Sequence, residues 1–81
     1  MSITFTHEQA VMVGQVSVEE AETLLEWLIK HPAGSVDMQA VEHIHAATLQ
    51  VLMVARPHIA SWPQHTSIRF WLQAALTVGA L

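Results

Sequence analysis

Apolar and polar positions alternate at the start of the chain, where Ile3, Phe5 and His7 are separated by Thr4 and Thr6. That two-residue period predicts a first strand, at a sheet edge. Residues 10–16 (AVMVGQV) are mostly apolar and β-branched and predict a second strand, with Gly14 marking a bulge or a close approach. Glu8 and Gln9 leave room for a hairpin turn between the two runs. From Ser17 the period changes: Ala21, Leu24, Leu25 and Leu28 recur at helical spacing and form one apolar stripe. Ser17 and Glu20 stand three residues apart, the spacing of a capping box. Glu19, Glu20 and Glu22 sit where the helix dipole favours negative charge, and Lys30, Pro32 and Gly34 close the element. Trp27 falls off the stripe and reads as a flank over the core.

Residues 35–38 predict a short central third strand, and residues 39–45 a polar connector. A second helix follows from about Ala46. It carries two apolar stripes instead of one: Leu49, Leu52, Met53 and Arg56, taken as the core side, and Ala47, Val51, Val54 and His58 opposite. A helix apolar on two faces is buried on both or docks something. Pro57 stops or kinks it. Ser61, Pro63 and Gln64 mark a loop around Trp62. Residues 66–72 (TSIRFWL), rich in β-formers, predict a fourth strand, and residues 73–81 are open between a short helix and an extended tail. The order β-β-α-β-α-β plus a tail is that of an α/β fold. It implies a mixed four-stranded sheet whose parallel pairs are joined by right-handed crossovers, in a single domain over residues 1–81.

Composition narrows the function. Of the 81 residues, 52% are apolar and 12% charged, with a net charge of −4. That is globular, and apolar enough for one small core to leave surface for self-association or a partner. Only Lys30, Arg56 and Arg69 are basic, too few and too scattered to neutralise a phosphate backbone, so nucleic acid is not an expected partner. The absence of cysteine removes disulfides and thiol chemistry. The N-terminus lacks the basic and apolar blocks of a signal peptide, and the apolar runs 49–55 and 68–81 are too short to span a bilayer. The expectation is a cytoplasmic protein without membrane insertion.

One stretch carries a family resemblance. Residues 37–49 read DMQAVEHIHAATL. Together with the element order, they resemble the STAS domain, the fold of anti-sigma factor antagonists, of a part of sulfate transporters and of a small subunit of phospholipid-transport ABC complexes. Against the family's usual Asp-Leu-Ser-Gly-Val-x-x-Ile-Asp-Ser-Ser-Gly-Leu, Asp37, Val41, Ile44 and Leu49 agree. The resemblance covers most of the chain, roughly residues 3–72, but this stretch is its specific part. It implies a non-catalytic regulatory module, active in transcription control in bacteria, whose partner is an anti-sigma factor or another kinase-like protein. An alternative is an accessory subunit bound to the ATPase of a lipid transporter. The departures are as informative. In the family a partner kinase phosphorylates a serine or threonine at the start of this helix; here His45 stands at the preceding Asp position and Ala46 at the phosphoacceptor position. Ala46 has no hydroxyl, so the switch is chemically impossible there. Thr48, at the family's Gly position, is the nearest hydroxyl.

The partner-binding surface expected on this basis comprises His45, Ala46, Ala47, Thr48, Val51, Val54 and His58, serving a protein partner or a homodimer. Six histidines also raise a metal- or pH-sensing alternative. His43 and His45 would share a face of an extended segment, with His58, His65 or Glu42 as a third ligand at no diagnostic spacing. Asp37 with His43 or His45, and Ser35 or Thr48 as nucleophile, would be the catalytic alternative, but no nucleophile elbow or phosphate loop accompanies them. No enzyme, no resident metal and no cofactor are expected.

Overall fold

The computed structural model describes residues 2–79, with side-chain surroundings up to Leu76. The protein is a small α/β domain in which a four-stranded mixed sheet carries three helices, in the order β-β-α-β-α-β-α. The strands are β1 (Ile3–Phe5), β2 (Gln9–Val16), β3 (Ser35–Ile44) and β4 (His58–Ser61); the helices are α1 (Glu19–Lys30), α2 (Ala46–Ala55) and α3 (Thr66–Gly79). Sheet order follows chain order. β1 and β2 form the antiparallel hairpin, while β2–β3 and β3–β4 are parallel pairs bridged by α1 and α2.

The helices share one side of the sheet: α1 packs on α2, and α2 on α3. Beneath them Ala10, Met12 and Val16 of β2 and Val36, Met38, Val41 and Ile44 of β3 are buried, and they join Leu24, Leu28, Leu52 and Leu72 in one apolar cluster. The other face of the sheet is open, and presents Thr4, Val13, Gln15, Gln39, Glu42, His43 and His58. One-sided burial of this kind leaves a period-two pattern in a strand.

α1 forms where the capping signal stands, though its parts act differently from the usual box. The Glu20 carboxylate reaches back to the Ser17 amide at 3.1 Å, and the Ser17 hydroxyl turns to that carboxylate instead of to a helix amide. Glu20 also accepts from the Ser2 amide at 2.7 Å and so ties β1 to the start of α1. Burial alone would push this carboxyl up, but the backbone amides of Ser17, Ser2 and Ile3 hold it below its ordinary value. At the other end Trp27 stacks between Phe5 and His31, at ring separations of 5.5 and 4.4 Å. Gly34 is required under that indole: a Cβ there would stand 2.7 Å from the Trp27 ring.

Three elements differ from the sequence reading. β3 does not end at Met38 but runs to Ile44, so the expected connector is strand. Val41 and Ile44 keep the buried phase while Gln39, Ala40, Glu42 and His43 face out. Two irregularities in the β2–β3 register, one beside Gly14 at φ +67, add the residues that hid the alternation. The fourth strand lies at residues 58–61, where a helix end and loop were expected. Residues 66–72 are not a strand: they open α3, which continues through most of 73–81. Ile68, Leu72 and Leu76 step by four, and packing of that stripe overrides the β-preference of Phe70 and Trp71, which stay exposed.

Candidate functional site

The start of α2 is the best-defined junction. β3 delivers the chain to His45, which is extended (φ −69, ψ 148) and caps the helix: its Nδ1 accepts a hydrogen bond from the Ala47 amide at 3.1 Å. The His45 carbonyl also receives the Thr48 and Leu49 amides at 3.0 and 3.2 Å. Ala46, exposed, is the first helical residue. The far end is equally defined. The Arg56 amide donates to Leu52 O at 2.9 Å with Arg56 left-handed (φ 49), the αL termination in which glycine is usual, and Pro57 prevents continuation.

Between these ends both expected stripes of α2 are rotated. The buried line is Thr48 and Leu52, flanked by Val51 and Ala55, and the outer line is Ala46, Gln50 and Val54. The expected surface therefore divides. His45, Ala46 and Val54 face solvent, with Val54 78% exposed. Ala47 is half-buried, and Val51 packs against the core. Thr48 is fully buried, so it is neither a docking residue nor a hydroxyl that a kinase can reach. His58 is exposed but belongs to β4, beyond the end of the helix. Sequence spacing could not choose between the stripes, because α2 contains no charged residue to mark its outside.

Sequence reasoning missed the contribution of α3. Phe70 (74% exposed) and Trp71 (50%) lie on its outer side. Trp71 faces α2 across a groove of about 370 Å³ that is lined also by Met53, Ala74 and Ala75. The phase of Ile68 and Leu72 was the available signal. A second cavity of about 620 Å³ lies under the C-terminal end of α2, between Leu52, Arg56, Ile59, Trp62 and Leu76.

Among the described residues, no three His, Asp or Glu side chains come together as a metal site. Asp37 and His45 are eight residues apart along extended chain, roughly 25 Å, so they form no acid–base pair. One Asp37 oxygen instead accepts from the Gln39 amide at 2.9 Å, beside the first strand irregularity. Among the described residues no helix is long and apolar enough to cross a membrane. No family model matches the chain, and no curated protein matches it.

Proposed function

We propose that this chain is a non-catalytic protein-binding module of the STAS type, which docks its partner through the start and outer stripe of α2. The observation that carries the reading is an uncharged helix with Val54 78% exposed, packed on α3, whose Phe70 and Trp71 are 74% and 50% exposed. Apolar side chains held in water on adjacent helices stabilise a complex when they are covered. His45 and Ala46 form the end of the surface at the helix start, with the imidazole as its polar group. With alanine at the first helical position and Thr48 buried, docking has no phosphoryl switch at this helix start. The partner is a kinase-like protein of the anti-sigma factor class, in a cytoplasmic setting; an ABC ATPase is the other partner class that such a module serves.

Affinity capture from the native host, with the wild-type chain and Val54→Glu in parallel, tests this. The partner is expected to be lost with Val54→Glu while the thermal melt is unchanged, because that side chain touches mostly solvent. Full retention of every captured protein by Val54→Glu would sink the proposal. Val51→Glu serves as the folding control, since it drives a charge against the core and is expected to melt early.

A further inference from the structure

β4 covers only part of its neighbour. The β3–β4 ladder ends at the pair Asp37–Ser61. The Gln64 amide then donates to Gln39 O at 3.2 Å, and the chain leaves the sheet for α3. Residues 40–44 of β3 are paired with β2 on one side, and among the described residues they have no ladder partner on the other. The edges at β1 and β4 are short, three and four residues. This one is five residues long and protrudes beside the start of α2. A protruding row of unpaired amides and carbonyls is a template for another strand.

The pattern on this edge selects the strand that fits. Residues 41–44 read buried, exposed, exposed, buried, because Glu42 is the extra residue of the second register irregularity. An irregular edge fits a regular strand poorly. A second copy run antiparallel matches it by symmetry. With the two-fold axis between Glu42 and His43, Val41 falls opposite Ile44 of the second copy, both on the helix side. Glu42 falls opposite His43 of the second copy, both exposed, as an acid facing an imidazole, and the pair occurs twice. We propose that residues 41–44 pair antiparallel with the same residues of a second copy, joining two four-stranded sheets into one continuous sheet. The contact is short, so association is weak and depends on concentration. It leaves the outer stripe of α2 free.

Sedimentation equilibrium between about 1 μM and 1 mM, the span of weak to moderate association, tests this. The mass is expected to rise from 9.0 kDa toward twice that value. Glu42→Lys, which sets a cation against the imidazole, is expected to weaken association about tenfold or more, and Glu42→Lys with His43→Glu to restore it. Both residues are exposed, and a thermal melt confirms the fold of each variant. The chain has no cysteine, so a mixture of Glu42→Cys and His43→Cys chains is expected to cross-link under mild oxidation, and Gln15→Cys is not. A mass that stays at 9.0 kDa overturns the proposal. So does association that Glu42→Lys leaves intact, or that is lost with Val54→Glu instead.

Discussion

α1 and α2 are crossovers of similar length on the same sheet, yet they are held in different ways. α1 has one inward stripe, Ala21, Leu24 and Leu28, an outside that is polar apart from Ile29, acids at its start and a lysine at its end. α2 has no charge, and Gln50 is the polar side chain on its outer line. It buries Thr48 and Leu52 and leaves Val54 in water. The direction of α1 is written in its own residues. The direction of α2 is imposed by where β3 delivers it and where Pro57 ends it. A helix oriented from outside can carry an apolar outer stripe without losing its place, and that stripe is then available for a partner.

The largest expected effect tests whether the two helices are equally anchored. Leu24→Ala and Leu52→Ala each remove a side chain at 0–1% exposure, and each is expected to cost about 2 to 5 kcal/mol in chemical denaturation. A much smaller loss for Leu52 would mean that α2 rests on the sheet more loosely than α1.

Next is the clasp that only α1 has. Glu20→Gln keeps the shape but removes the charge that accepts from Ser17 and Ser2, and an expected loss of about 1.5 to 3 kcal/mol follows. Glu20 is also an acid-sensitive group. Its native value is lowered from about 4.5, so its contribution is fully present above that pH and fades as pH falls through the lower native value. The Glu20→Gln variant is expected to lose less stability than wild type over that acid range, which a pH series of melts reads directly.

The smallest effect has the opposite sign. Thr48 places a hydroxyl in the core with no hydrogen-bond partner. Thr48→Val is expected to stabilise the protein by about 1 kcal/mol, as a rise in melting temperature. A loss instead would show that this hydroxyl serves the fold.

The same contrast explains how much could be read beforehand. α1, the Glu20 half of its capping box and the β1–β2 hairpin were legible because their periods are clean and their ends carry Glu20, Pro32 and Gly34. The long β3 was not, because its register irregularities place Glu42 and His43 side by side in the open and break the alternation. α3 was hidden by composition: Ile, Phe and Trp favour strands, and only the four-residue step of Ile68, Leu72 and Leu76 tells otherwise. At the site, the exposure of His45, Ala46 and Val54 was legible. The burial of Thr48 was not, because Thr48 is itself polar and α2 has no charged residue to mark its outside.

The uneven coverage of β3 has a consequence for its fluctuations. Over residues 35–37 the strand lies between two partners, so its amides open only when the sheet itself comes apart. Over residues 40–44 half of the backbone already faces solvent. Deuterium uptake should therefore rise partway along a single strand, with slow exchange before Met38 and fast exchange after it at the amides that point away from β2. One strand then reports the global and the local opening free energies of this molecule at once.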